Sequence, residues 1–124
     1  MRSLNGPVLV VDDDDDVREG LRMILELEGR VVETARDPRD ALNRVIGGLR
    51  PCLIILDLMS QVMNGVEFYR ELTSNPHCRR IPLLAYSGLN NVREKARKLA
   101  ADPSFDVPAE IDRLLAAVGQ HCPT

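Results

Sequence analysis

The sequence lacks any long hydrophobic run. No apolar stretch in the 124 residues approaches the roughly 18 to 20 residues that a membrane-spanning helix requires. The apolar stretch near the start, Val8 to Val11, is too short for a secretory signal peptide and leads directly into acidic residues. These absences predict a cytoplasmic protein with no membrane partner.

Cysteine is also scarce, and its spacing does not suggest a metal site. The three cysteines, Cys52, Cys78 and Cys122, are odd in number and form no CxxC pair of the kind that binds zinc. We therefore expect reduced thiols, as is usual in the cytoplasm. His77 and Cys78 are adjacent, but no further ligands lie nearby, so a place in a loop or at a helix end is favoured over a ligand pair.

The chain has no excess of positive charge. Its formal net charge is −3, whereas binding to the phosphate backbone of a nucleic acid requires a basic surface, so no direct nucleic-acid partner is expected. Hydrophobic residues make up 44% and charged residues 28%, as in globular domains. The length predicts a single domain over residues 1–124, with a core over about 7–119 and a frayed tail at 120–124.

What the sequence does contain is a regular alternation of aliphatic runs and helical patterns. The runs occupy residues 7–12, 30–35, 52–57, 81–86 and 104–107, and the helical patterns 16–29, 37–49, 65–76, 90–102 and 108–119. Asp37 followed by Pro38 predicts a helix start, and Gly29 a helix end. The alternation predicts an α/β fold: a doubly wound, five-stranded parallel sheet in the order 2-1-3-4-5, flanked by five helices.

Aspartates follow two of the predicted strands. The stretch "VLVVDDDDDV" carries Asp12 and Asp13 at the end of the first strand, and Asp57 ends the third. These strands are neighbours in the predicted order, and their carboxyl ends share one edge of the sheet, so the three carboxylates should meet in one crevice. Like charges this close are costly without a cation among them. A hard divalent ion, Mg²⁺ or Mn²⁺, is therefore the expected cofactor.

The other three acids of the run, residues 14–16, have a simpler interpretation. An acidic run on its own is usually a solvated segment. At this point in the chain, carboxylates favour the start of the following helix, where they cap it and complement its dipole. We interpret them as helix-start residues rather than metal ligands.

From Val8 to about Val118, the chain resembles the receiver domain of bacterial two-component response regulators. "VLVVDDDDDVREGLRMIL" is similar to the family's acidic-pair strand and first helix, "LIILDLMSQVMNG" to its phosphoacceptor strand and loop, and "IPLLAYSG" to its fourth strand. The order and spacing of these segments carry the resemblance. It implies a flavodoxin-like receiver fold.

The resemblance also implies a role for individual residues. Asp57 matches the phosphorylated aspartate, and the metal would be held by Asp12, Asp13, Asp57 and the backbone carbonyl of Met59. Ser87 matches the hydroxyl residue that hydrogen-bonds a phosphoryl oxygen. Gly88 matches the small residue beside the phosphoryl group.

The family's pattern is broken near the end of the chain. "AADPSFDVPAEIDRLLAAV" aligns with the family's ending so that Val107 falls where the family has a lysine that reaches the phosphoryl group. Ser104 occupies the switch position, which is commonly aromatic. The only lysines, Lys95 and Lys98, lie in the fourth predicted helix, so no small shift of the alignment restores the contact.

Two functions from different classes therefore stay open. The first is a Mg²⁺-dependent phosphoacceptor whose coupling to a partner is weakened by the loss of the lysine. The second is a pseudo-receiver interaction module that works without phosphorylation; Val107 and Ser104 favour it, and the complete acceptor set counts against it. A dedicated enzyme is not expected, because phosphatases that form an aspartyl phosphate need an acid at the position of Met59.

The resemblance implies two kinds of partner. A sensor histidine kinase or a phosphotransfer protein would donate the phosphoryl group, and a downstream protein would be the target. No effector segment follows Val118, so the chain is expected either to act in trans or to belong to a longer protein. The family often docks or dimerises through the face made by the fourth helix, fifth strand and fifth helix, which here carries Arg93, Lys95, Arg97, Lys98, Asp112 and Arg113.

Overall fold

The computed structural model describes residues 6–57, 63, 65–86 and 109–122. These contain four strands and four helices in alternation. In chain order they are β1 (Val8–Val11), α1 (Asp15–Leu27), β2 (Val32–Ala35), α2 (Pro38–Ile46), β3 (Leu53–Asp57), α3 (Gly65–Ser74), β4 (Leu83–Tyr86) and α4 (Ala109–His121).

The strands form one parallel sheet in the order β2-β1-β3-β4. This confirms the predicted parallel α/β fold and the predicted neighbours of the first, third and fourth strands. The predicted fifth strand at 104–107 and the basic helix at 90–102 lie outside the described residues. The helix that was predicted fifth is α4 of the structure.

The two faces of the sheet are covered by different pairs of helices. Alternate residues of β1 and β3 point to opposite sides, so Leu9 and Ile54 pack with α2 and α3 while Val10 and Ile55 pack with α1 and α4. All five residues of β3 are buried. Because both faces of this strand are covered, nearly all of its side chains are apolar, and the sequence around β3 shows no alternation of apolar and polar residues.

Helix ends follow the local signals in the sequence. Asp14 caps α1 by accepting a hydrogen bond from the backbone N–H of Val17 at 3.0 Å. Asp37 caps α2 in the same way, accepting from the N–H of Asp40 at 2.8 Å, with Pro38 in the first turn. Gly29 follows α1 with φ of 84°, a left-handed conformation that is strained for other residues.

The expectation of three reduced thiols is wrong for two of them. Cys52 and Cys122 form a disulfide with a Cα–Cα distance of 5.4 Å, while Cys78 is a buried free thiol. An odd cysteine count leaves room for one pair, and α4 packs across the face of the sheet so that its end meets the residue before β3. The spacing in the chain, 70 residues, carries no signal for this pairing.

The last helix extends into the segment that was predicted as a tail. Helix α4 continues to His121, beyond the predicted stop at Gly119, and Cys122 is buried. His77 and Cys78 lie in the turn that follows α3, in agreement with the loop or helix-end interpretation. None of the described helices is long and apolar enough to cross a membrane.

Candidate functional site

The candidate site lies where β1 and β3 end. In the parallel register Val11 is the partner of Leu56, so the residues that follow them, Asp12 and Asp57, emerge side by side at the carboxyl edge of the sheet. Asp13 is the next residue along the chain. The sheet therefore brings together residues that are far apart in sequence, at the edge where open α/β folds place their ligands.

The three carboxylates form a compact group. One carboxylate oxygen from each of Asp12, Asp13 and Asp57 lies within 4.8 Å of the others. Asp12 is only 2% exposed and Asp57 only 3%, whereas Asp13 is exposed. The group thus has two buried members inside the crevice and one at its mouth, open to solvent.

Local hydrogen bonds hold the chain at this point in one conformation. Oδ1 of Asp12 accepts from the backbone N–H of Asp14 at 2.8 Å, and the backbone carbonyl of Asp12 accepts from Nη1 of Arg18 at 2.8 Å. Nη2 of Arg18 also bonds Oδ1 of Asp15. The start of α1 therefore holds Asp12, the residue that follows β1, in place.

This donor set fits a hard divalent cation. All three side chains offer carboxylate oxygens, which Mg²⁺ prefers, and these oxygens are close enough together to contact one ion. The mixture of buried and exposed carboxylates also suits Mg²⁺, because this ion usually keeps several water ligands. The three aspartates thus converge at the edge of the sheet where the sequence predicts them to meet.

Several predicted site residues lie outside the described part of the chain. These are Met59, Ser87, Gly88, Ser104 and Val107. Strand β4 nevertheless runs to Tyr86, whose Cα is the register partner of Asp57. Strand β4 therefore ends at the same edge of the sheet as the three aspartates.

The family model for the response regulator receiver domain matches residues 8–119. The chain belongs to this family. Phosphorylation and magnesium binding in two-component signalling are general features of receiver domains, and the predicted resemblance is confirmed.

Among curated proteins, this receiver domain is similar to the response regulator MprA of Mycolicibacterium vanbaalenii. The two are 38% identical over 111 residues, which cover 88% of this chain and 47% of that protein. MprA of Mycobacterium ulcerans is 37% identical over a segment of the same length. The chain spans about half the length of the curated relatives it matches.

Solved structures support the same fold. The receiver domain of a histidine kinase from Syntrophus aciditrophicus is 30% identical, with a TM-score of 0.71 over 94% of this chain and 89% of that one. The chemotaxis response regulator CheY4 of Vibrio cholerae is 28% identical, with a TM-score of 0.68 over 92% and 98%. This is the flavodoxin-like receiver fold.

Besides the disulfide, two features of the structure are not predicted by the sequence. One is the contact of Arg18 with the backbone of Asp12; its position one turn into an acidic helix start was an available signal. The other is a cavity at the opposite edge of the sheet, lined by Arg50, His77 and Arg80. Arg50 and the other two residues come from separate segments of the chain, so no local pattern marks the three as a group.

Proposed function

We propose that this receiver domain accepts a phosphoryl group on Asp57 in a Mg²⁺-dependent reaction. The observation that carries the proposal is the group of three carboxylates, Asp12, Asp13 and Asp57, within 4.8 Å of one another at the junction of β1 and β3. Asp12 and Asp13 would hold the ion, together with Asp57 and the backbone carbonyl of Met59. When bound, Mg²⁺ neutralises charge on the acceptor carboxylate and on the incoming phosphoryl oxygens.

The protein's own residues position the acceptor. A carboxylate oxygen of Asp57 forms a bond to phosphorus while the bond from phosphorus to the donor breaks, and the donor leaves with its electron pair. Asp57 is buried at the end of β3, and this burial restricts the conformations of its side chain, which favours a defined approach of the donor. Ser87 and Gly88, directly after β4, would bind the transferred group.

Coupling of the phosphorylated state to a partner is proposed to be weak. Val107 cannot donate the hydrogen bond that the family's lysine gives to the phosphoryl group, and Ser104 replaces an aromatic switch residue. A hydrogen bond to a charged group contributes about 1.5–3 kcal/mol, and allosteric coupling is typically about 1–3 kcal/mol. Losing this one contact removes a large part of the free-energy coupling between phosphorylation and conformation. The carboxylates that would hold the metal ion are unaffected.

Val107 also supports a second candidate function. A receiver fold that binds its partner without phosphorylation has no need of the lysine. In that case Asp12, Asp13 and Asp57 would have no part in signalling, and partner binding would be the same with and without phosphate. The phosphoacceptor is preferred because every carboxylate that the chemistry requires is present in one crevice.

The proposal includes the partners of the domain. The donor would be a sensor histidine kinase or a phosphotransfer protein, and the target a downstream protein rather than a nucleic acid or a membrane. A fifth strand at 104–107 would complete the sheet in the order 2-1-3-4-5, and a helix at 90–102 would flank it. With α4, whose Asp112 and Arg113 are exposed, they would form the docking or dimerisation face.

A cytoplasmic location is proposed as well. Disulfides in that compartment are usually transient or redox-sensing, so the Cys52–Cys122 bond makes this proposal testable. Rapid alkylation of thiols in intact cells, followed by peptide mass analysis, would reveal a mixture of dithiol and disulfide. A fully oxidised pair in cells would contradict a cytoplasmic location.

The decisive experiment uses acetyl phosphate and Mg²⁺ with the complete chain, followed by intact mass measurement. The expected product carries one phosphoryl group, which is absent from Asp57→Asn and from samples containing a chelator. Asp16→Asn, an exposed acid in the first turn of α1, is the matched control and should react like the unmodified chain. Absence of the adduct in the unmodified chain would support the pseudo-receiver function.

A further inference from the structure

A second cavity lies at the amino edge of the sheet, opposite to the three aspartates. Its volume is about 210 Å³. Beside apolar residues such as Ile81 and Pro82, its lining includes basic and polar side chains from three segments: Arg50, His77, Arg80, Gln120 and His121. The Cys52–Cys122 disulfide lies beside these residues and holds the end of α4 against the cavity.

Topology explains why these residues meet. Arg50 lies just before β3, His77 and Arg80 lie in the turn between α3 and β4, and His121 is the last residue of α4. Parallel strands all begin at the same edge of the sheet, so the loops that lead into β3 and β4 are neighbours. Basic residues that form no pattern in the sequence are thereby brought around one space.

The charge of this cavity is not balanced by described carboxylates. Arg18, Arg22, Arg39 and Arg44 each form an ion pair with an acid. In contrast, Arg50 and Arg80 form no ion pair with any carboxylate in the described part of the chain. Two arginines without a carboxylate partner among the described residues thus line the same cavity, in a chain whose net charge is −3.

Arg50 is also held in position before any ligand arrives. Its Nη1 donates to the backbone carbonyls of Val45 at 2.6 Å and Leu49 at 2.9 Å, next to the end of α2. Carbonyl oxygens orient the guanidinium group without neutralising it. A donor that is already ordered loses less entropy when it binds a ligand.

We propose that this cavity binds a phosphate-class oxyanion, such as the phosphate group of a small monoester. Guanidinium groups match the geometry of phosphate and form charge-assisted, bidentate hydrogen bonds with it. The imidazoles of His77 and His121 and the amide of Gln120 supply further N–H donors. The volume is below the roughly 300–1,000 Å³ of typical drug-sized sites, which favours a small anion over a whole nucleotide.

Inorganic phosphate is the probe, titrated into the isotope-labelled full chain without Mg²⁺ and at constant ionic strength set with sodium chloride. Saturable changes in the NMR signals of residues 50–52, 77–82 and 120–121 are expected. Arg80→Ala should weaken binding by about tenfold or more, because one charge-assisted hydrogen bond carries a factor of that size. Arg80 is exposed, so this substitution leaves the core unchanged.

Arg79 supplies the matched control. It is adjacent and exposed and carries the same charge, but it does not line the cavity, so Arg79→Ala should change the affinity less than about twofold. Equal weakening by both substitutions, or no saturable change, would overturn the proposal. Asp57→Asn should bind phosphate unchanged at this cavity, so failure here and failure of phosphorylation at Asp57 are separate outcomes.

Discussion

Cys52 and Cys122 form a disulfide that joins the residue before β3 to the residue after α4, at the edge of the sheet opposite to Asp57. Strand β3 thus begins beside a covalent link and ends at the proposed phosphoacceptor. The bond closes a separation of 70 residues and fastens α4 to the sheet.

Breaking this bond should destabilise the fold. A crosslink across a loop of this length restricts the unfolded chain, and the loss is expected to lower the free energy of unfolding by about 2–4 kcal/mol. Urea unfolding with and without a reductant measures the difference. The reductant effect should vanish in Cys122→Ser and persist in Cys78→Ala, since Cys78 is a free thiol; equal stability of the oxidised and reduced chains would contradict this expectation.

Neutralising Asp13 should weaken the binding of Mg²⁺. Its carboxylate belongs to the group within 4.8 Å, and its exposed position means that Asp13→Asn should fold normally. We expect the dissociation constant to rise by roughly tenfold or more, because even residues behind the direct ligands of a metal contribute factors of 10–100. Isothermal titration with Mg²⁺ provides the measurement.

Mg²⁺ should also stabilise the folded chain, by about 2.7 kcal/mol at one hundred times the dissociation constant. At the same ion concentration Asp13→Asn should show a smaller increase in melting temperature. Asp16→Asn removes a nearby negative charge outside the carboxylate group and serves as the control. If both substitutions reduced the affinity equally, diffuse attraction rather than coordination would explain the binding.

Introducing lysine at position 107 should strengthen the coupling between phosphorylation and conformation. The new ammonium group could donate to the phosphoryl group and add about 1–3 kcal/mol of coupling. The phosphate-induced changes in NMR shifts or hydrogen exchange over residues 83–86 and 109–122 should then be larger in Val107→Lys. Val107→Met, which has similar length and no charge, should behave like the unmodified chain; an equal response in all three would show that lysine alone does not restore the switch.

Removing the cap of α2 should cost stability without affecting the candidate site. The side chain of Asp37 accepts from the N–H of Asp40 at 2.8 Å, and Asp37→Ala should lower the free energy of unfolding by about 1 kcal/mol. Glu71→Ala breaks only the exposed ion pair with Arg39 at 3.2 Å. This substitution should change the free energy of unfolding by about 0.5 kcal/mol or less. Urea midpoints compare the two, and a cap loss no larger than the ion-pair loss would count against the capping role.

Much of the fold could be predicted because its signals are local. A helix start such as Asp37-Pro38 and a buried strand such as Leu53–Asp57 are each written in a few consecutive residues. The meeting of Asp12, Asp13 and Asp57 followed from the same signals, since parallel strands have their carboxyl ends at one edge. Which of the three aspartates are buried and which is exposed could not be predicted from the sequence, because burial depends on the packing of the neighbouring elements.

The sequence by itself therefore determined the strand order of the described sheet, the caps of its helices and the edge at which the acidic residues gather. Only the tertiary structure decided that Cys52 pairs with Cys122, that α4 continues to His121, and that Arg50 and Arg80 share one cavity. Short-range patterns determine where each helix and strand begins and ends. Contacts between loops depend on how α4 and the turn after α3 pack against the sheet. That packing is stabilised by many weak interactions between residues that are distant in the chain, so no local pattern predicts it.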